Sequence, residues 1–172
     1  MDDSAPFAHI AMAEVCLWKR QYDQAAAEAE RAIALDPNSA SAHRALAEIF
    51  GFSGRPAEAI GLLEKAMQLD PHNRELYFFL EGWCFIQMER YAEAIPLLKQ
   101  HLAHYPYNLD AHGQLVVAYT ELGRDDEARA EAAEIMRISP DFSLDTRMRT
   151  VPQKDERVLS RFIRNMRKAG VK

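Results

Sequence analysis

Apolar and polar positions recur along this chain at helical spacing rather than in strand-like alternation. Ile49 and Phe50 follow Leu46 by three and four residues, and Tyr119 follows Leu115 and Val116 by four and three. Each such stretch runs into a short turn, "GFSGRP" at 51–56 or "LGRDD" at 122–126. A second periodic stretch follows, with small residues on its buried stripe, such as Ala25, Ala29 and Ala32. The pattern predicts pairs of helices in which the second is slim enough to approach its neighbours closely. Each pair closes on a related tetrapeptide: "LDPN" at 35–38, "LDPH" at 69–72, "HYPY" at 104–107 and "ISPD" at 138–141. Proline has no N–H to continue a helix and disfavours helical geometry in the residue before it, so each copy is a stop. Asn38 and Ser39, or Asn73 and Asn108, are then placed to cap the following helix.

The four prolines set a register. Pro37, Pro71, Pro106 and Pro140 are separated by 34, 35 and 34 positions. Twelve before each stands an alanine: Ala25, Ala59, Ala94 and Ala128. Eight before stand Ala29, Leu63, Leu98 and Ala132; fifteen before, Tyr22, Pro56, Tyr91 and Asp125. Seventeen before, in the turn, stand Arg20, Gly54, Glu89 and Gly123. Several columns agreeing at one period indicate a stacked repeat.

Over residues 6–140 this pattern resembles the tetratricopeptide repeat family. The resemblance implies an all-α, right-handed solenoid of four helical hairpins, at about 6–37, 40–71, 75–106 and 109–140, followed by a capping helix. The family's tryptophan near the start of the first helix is replaced by His9, His43, Phe78 and His112. The small residue four positions on is Ala13, Ala47, Gly82 and then Val116, so the fourth unit is the least regular. One inserted residue near His72 and Asn73 accounts for the spacing of 35.

After Pro140 the register ends. Residues 141–153 read as a loop closed by Pro152, and 155–169 as a helix with Val158, Leu159, Phe162, Ile163 and Met166 on one face. Arg157, Arg161, Arg164, Arg167 and Lys168 fall mostly elsewhere. An array exposes an apolar face at its last repeat, so the helix is expected to cap it. The alternative is a basic amphipathic helix for an anionic membrane or a partner. "ISPDFSLD" with "KDERVLSRFIRNMRKAG" also resembles the ending of the repeat region in bacterial proteins that join a class III adenylate/guanylate cyclase to tetratricopeptide repeats. Related endings follow winged-helix regulators. That likeness implies a regulatory or interaction part of a larger protein, or a free-standing relative.

Composition narrows the function. Hydrophobic residues make up 48% and charged residues 27% of the chain, enough for a core and too apolar for disorder. No run is long and apolar enough to span a membrane, and "MDDSAPFAHI" lacks the basic start of a secretory signal, so a cytoplasmic setting is expected. Residues 1–140 hold 12 Lys and Arg against 22 Asp and Glu, a net −10. Residues 141–172 hold 9 against 4, a net +5. An acidic body argues against nucleic-acid binding, and its basic tail suggests that the tail lies on the body. Cys16 and Cys84 have neither CxxC nor metal-ligand spacing and read as reduced core residues.

No motif supports catalysis, and no cofactor or metal is expected. His9, His43 and His112 occupy one column of different repeats, too far apart to share an ion, and read as packing within their own hairpins. His101 and His104 read as surface residues. The informative surface is the one the resemblance implies, the groove lined by the first helix of each hairpin. Its candidate positions are Ile10, Glu14 and Trp18; Arg44, Glu48 and Phe52; Phe79, Trp83 and Ile86; and Val117. Asp110, Gly113, Thr120 and Glu121 line the same columns in the fourth unit. The family's carboxylate clamp of Lys and Asn is absent, since Ile10 and Glu14 stand at its first places. The expected function is therefore a non-enzymatic scaffold that binds a peptide or helix of a protein partner. The alternatives are a homodimerisation or regulatory module of a cyclase-like or transcription-regulator protein, and a groove filled by the chain's own segment or a second copy.

Overall fold

A computed structural model describes residues 5–171. Among these, every regular element is helical: ten α-helices and one 3-10 turn. In chain order they are α1 (Ala5–Trp18), α2 (Tyr22–Leu35), α3 (Ala40–Ser53), α4 (Pro56–Leu69), the 3-10 turn Pro71–Asn73, α5 (Arg74–Gln87), α6 (Tyr91–His104), α7 (Leu109–Glu121), α8 (Asp125–Ile138), α9 (Leu144–Thr150) and α10 (Glu156–Lys168). The chain forms two compact units, divided within α5 after Tyr77. The first also includes Pro152–Lys154, and the second takes in Phe78–Val151 and the chain from Asp155 onward.

The stop signals act as their chemistry dictates. Asp36, Asp70, Tyr105 and Ser139, each just before a register proline, leave helical geometry with φ between −124° and −137°. Each still donates its N–H to the carbonyl four residues back, closing the preceding helix. Ser39 and Asn108 then cap α3 and α7 by accepting from the N–H groups of Ala42 and Ala111. Asn73 does not cap in this way: its amide donates to the Asp70 carboxylate and steadies the 3-10 turn that holds the inserted residue.

Within the first unit, α1 pairs with α2 and α3 with α4, and α2 lies against α3. Ala25, Ala29 and Ala32 are fully buried, which confirms the slim second helix. Ile10, Ala32, Ala42 and Ala45 form one core cluster. In the second unit, α7 and α8 pair and α6 lies against α7, around Leu98, Leu115, Val116 and Tyr119. Fully burying each such leucine contributes roughly 1.5–3 kcal/mol.

The turns carry a repeated device. Arg55, Arg90 and Arg124 lie over the rings of Phe50, Phe85 and Tyr119 at 3.7, 4.4 and 4.7 Å from the ring centres. Each also pairs with a glutamate three residues on: Glu58, Glu93 and Glu127. One side chain thus ties the turn to both helices of its hairpin.

Residues 141–153 depart from the expected loop. Ser143 caps a short helix, α9, by accepting from the Thr146 N–H, and Leu144 is fully buried. Leu144 joins Val116, Ala132, Ile135, Met166 and Val171 in one cluster, so α9 and α10 together cover the last hairpin. Pro152–Lys154 instead dock into the first unit. Tyr22 Oη donates to the Pro152 carbonyl at 3.1 Å, and the Lys154 N–H donates to the Phe52 carbonyl at 2.9 Å.

Candidate functional site

The groove columns behave differently in the two units. In the first, Arg44 of α3 links both glutamates, meeting Glu48 at 3.2 Å and Glu14 of α1 at 3.6 Å. Glu14, Arg44 and Glu48 therefore share one face. Glu14 is exposed and Arg44 and Glu48 are half-buried. Burial pushes the Glu48 carboxyl above the usual range, against the pull of Arg44, and the Glu14 charge adds to the rise. One helical turn beyond the glutamates stand Trp18, 54% exposed, and Phe52, half-buried. The face thus offers an indole and a phenyl ring beside a partly neutralised acidic cluster. Ile10 is not part of it. At 8% exposure it belongs to the core of the first unit, because small Ala32, Ala42 and Ala45 leave a cavity that its side chain fills.

In the second unit the equivalent columns are closed. Trp83 is 7% exposed, Ile86 3% and Val117 1%, so none is a surface anchor. The Phe79 ring lies 5.4 Å from the His101 ring of α6 and faces its own hairpin. His101 is itself buried, against the surface position expected of it. It accepts from the Asn108 amide at 2.8 Å and stacks on Tyr105 at 4.8 Å. Only His104 of that pair is exposed.

Helix α10 lies against α7 at the fourth repeat's candidate positions. A Cβ built on Gly113 would stand 3.0 Å from the tip of the Phe162 ring, so the glycine is the floor of a slot for that ring. Two turns further along α7, Glu121 accepts from both Arg164 and Asn165 at 2.7 Å. Burial opposes ionisation of Glu121, yet these two bonds together with the charges of Arg164 and Arg161 outweigh it and hold the carboxyl below its usual range. Val117 lies midway between these contacts. Arg161 reaches the end of α5, donating to the Ile86 and Gln87 carbonyls and pairing with Glu89 at 2.6 Å. A cation at a helix C-terminus is favoured by the dipole and the unpaired carbonyls there. Arg147 of α9 pairs with Asp110 at 2.6 Å. The tail helix thus covers the last hairpin, as expected of a cap, and contacts Gly113 and Glu121 among the candidate positions of the fourth repeat.

The histidine column is structural. Nδ1 of His9 meets Glu28 at 2.6 Å, and Nδ1 of His112 meets Glu131 at 2.6 Å, each from the first helix of a hairpin to the second. Burial alone would lower the pKa of His112; Glu131 and the Pro106 carbonyl turn the net shift upward. His43 keeps the bond to the proline carbonyl, through Nε2 at 3.1 Å, but its buried Nδ1 has no partner. The place of the glutamate is taken by Leu62.

Cys16 and Cys84 are buried and unpaired, and burial pushes the Cys84 thiol up to about 12. Among the described residues, no three His, Cys, Asp or Glu side chains converge as metal ligands. No described helix is long and apolar enough to cross a membrane.

Comparison with known proteins agrees with this architecture. Residues 85–150 match the tetratricopeptide repeat family, and residues 18–101 match anaphase-promoting complex, cyclosome, subunit 3. No curated protein matches the sequence significantly. Among solved structures, PilF of Pseudomonas aeruginosa is similar with a TM-score of 0.72 at 22% identity, over 99% of this chain and 78% of that one. MamA from Desulfovibrio magneticus RS-1 gives 0.70 at 16% identity, over 98% and 96%. YrrB, described as a tetratricopeptide repeat protein with an unusual peptide-binding site, gives 0.64 at 20%, over 98% and 86%.

Proposed function

Taking a tetratricopeptide-repeat protein as the premise, we propose that it is a non-enzymatic interaction module whose groove-side face holds a peptide or helix of a protein partner. The observation that carries this reading is α10 itself. A basic amphipathic helix already lies on the fourth repeat's groove positions, seated by a ring in the Gly113 slot and by two donors on Glu121. The face is therefore of a kind that takes a helix. In the first unit the same columns carry Glu14, Trp18, Arg44, Glu48 and Phe52, and these are the receptor residues we assign. An exposed tryptophan beside charged groups is the residue type that dominates interface energies. The acid-rich face speaks for a protein rather than a nucleic-acid partner, and the two buried, unpaired cysteines fit a cytoplasmic setting.

The test is affinity capture from the source cell with the wild-type chain and with Trp18→Ser combined with Phe52→Ser. Both side chains are at least partly exposed, so the fold is expected to survive, as circular dichroism would verify. Capture should drop at least about tenfold, since two lost aromatic anchors cost 2 kcal/mol or more. Undiminished capture by a folded variant would remove the first unit's face as the receptor.

The tail's likeness to cyclase-linked arrays keeps a second reading, a homodimerisation or regulatory module of a larger protein.

A further inference from the structure

Arginine is fastened in this protein by a recurring arrangement, an aromatic ring with a glutamate beside it. In the turns, Arg55 has Phe50 and Glu58, Arg90 has Phe85 and Glu93, and Arg124 has Tyr119 and Glu127. A fourth instance belongs to a docked segment. Arg161 of α10 lies 5.9 Å from the centre of the Tyr91 ring and pairs with Glu89 at 2.6 Å. A ring face attracts a guanidinium through its quadrupole and a carboxylate attracts it through charge, and the weakly hydrated plane of arginine satisfies both at once. Two further ring-and-carboxylate pairs stand on the first unit's face: Glu14 with Trp18 on α1, and Glu48 with Phe52 on α3, each one helical turn apart. Arg44 is shared between the two carboxylates. It bonds Glu48 at 3.2 Å and stands 3.6 Å from Glu14, within ion-pair range but too far for a hydrogen bond. Two carboxylates against one guanidinium leave the cluster one negative charge in excess. Burial holds the Glu48 carboxyl above its usual range in spite of Arg44, and the Glu14 charge adds to the rise. Glu14 and Trp18 are both exposed.

On the reading of this face as the receptor, we propose that Glu14 and Trp18 seat an arginine of the protein partner, carried on a basic amphipathic helix. The incoming guanidinium lies on the Trp18 indole and bonds the Glu14 carboxylate. Two cations then stand with two carboxylates, and the excess charge beside Glu48 is removed. Arginine fits the pair better than lysine, because its planar fork stacks on an indole and bonds a carboxylate together, whereas an ammonium is compact and strongly hydrated. Trp18 and half-buried Phe52 call for apolar residues flanking that arginine. Helix α10 has this composition and meets the fourth repeat in a comparable way. Its Arg164 and Asn165 bond Glu121, which stands nineteen before Pro140 as Trp18 stands nineteen before Pro37. A partner presenting carboxylates would meet Glu14 and the net −10 of residues 1–140 and be opposed by both.

The test uses the full 172-residue chain and a labelled synthetic peptide copying residues 155–169, which carries four arginines and neither Trp nor Tyr. Fluorescence anisotropy should give a Kd of about 100 μM or tighter, with a shift in tryptophan emission. Glu14→Gln should weaken binding about three- to fivefold with unchanged circular dichroism, the worth of one half-exposed ion pair. A peptide with lysine in place of its arginines should bind more weakly. One with glutamine in their place should bind more weakly still and be indifferent to Glu14→Gln, as a direct pair requires. Glu121→Gln, in the second unit, should leave the affinity unchanged. Arginine and glutamine peptides that bind alike, yet are both lost with Trp18→Ser and Phe52→Ser combined, would overturn the arginine seat and leave the receptor reading standing. Binding that survives those two substitutions would overturn both. No binding at about 1 mM, equal affinity of the lysine peptide, or a loss through Glu121→Gln instead of Glu14→Gln would each overturn the seat.

Discussion

Leu62→Glu should install the one carboxylate missing from the histidine column. The ring of His43 is placed like that of His112: both give Nε2 to a proline carbonyl at 3.1 Å, Pro37 in one case and Pro106 in the other. In His112 and His9 the second nitrogen then meets a glutamate nineteen residues on, at 2.6 Å. Residue 62 stands nineteen after His43 and is half-buried on α4, so a glutamate there has the same reach. A hydrogen bond to a charged group contributes about 1.5–3 kcal/mol, and it would also end the unpaired state of the buried Nδ1. Against this stands the loss of a half-buried leucine, about 1 kcal/mol. Helix propensity barely changes. The net gain is about 1 kcal/mol, or roughly 2–4 °C in Tm for a chain of this size. With both ring nitrogens facing oxygen acceptors, the pair needs the imidazolium. The gain should therefore be full in mild acid and fade as pH rises, whereas Leu62→Gln, whose amide can donate to a neutral Nδ1, should gain less but independently of pH. Thermal melts at pH 5.5 and 8.5 decide it. Equal destabilisation by both substitutions at both pH values would refute the column argument, as would an unchanged gain when His43→Ala is added.

Two further outcomes follow from the same physics. The raised pKa of His112 contributes stability that is fully present below about 6.5 and is lost as pH rises through the folded value, and Glu131→Gln should flatten that slope in urea titrations between pH 6 and 8. Gly61→Ala and Gly82→Ala should have opposite signs: nothing lies within 4 Å of a Cβ on Gly61, so helix propensity gives about +0.5–1 kcal/mol. A Cβ on Gly82 would stand 2.9 Å from Cγ of fully buried Leu98, and the overpacking should cost about 1–3 kcal/mol, read from denaturant midpoints.

The helices were legible because each is bounded by local chemistry. A proline after Asp36 or Asp70, a side-chain cap at Ser39 or Asn108, and a glycine turn at Gly54 or Gly123 act within a few residues of themselves. Helix α9 lies outside the register, and nothing periodic flags seven residues held by one cap and one buried leucine. Groove and core were harder to separate, because one helix position serves either role according to what lies above it. The same column is core at Ile10, where three alanines make room, and charged surface at Arg44. The occupant of the fourth repeat left one signal that could have been read. In the column of Ile10, Arg44 and Phe79 the fourth residue is Gly113, and a glycine where the others carry side chains marks a place kept open for something else. Phe162, on the one strongly amphipathic segment outside the repeats, was the ring available to fill it.

Pro152–Lys154 bear on how the protein is made. Repeat arrays are the fold in which each part can settle as it emerges, since every unit leans on neighbours in sequence. Here the bond from Tyr22 to the Pro152 carbonyl joins residues 130 apart, in a unit that otherwise ends at Tyr77. Synthesis at about 5–20 residues per second delivers Lys154 roughly 4–15 s after Tyr77. For that interval the nascent chain presents a first pair of hairpins whose closing contacts are still on the ribosome. A chaperone that reads incomplete helical arrays would have its longest opportunity there.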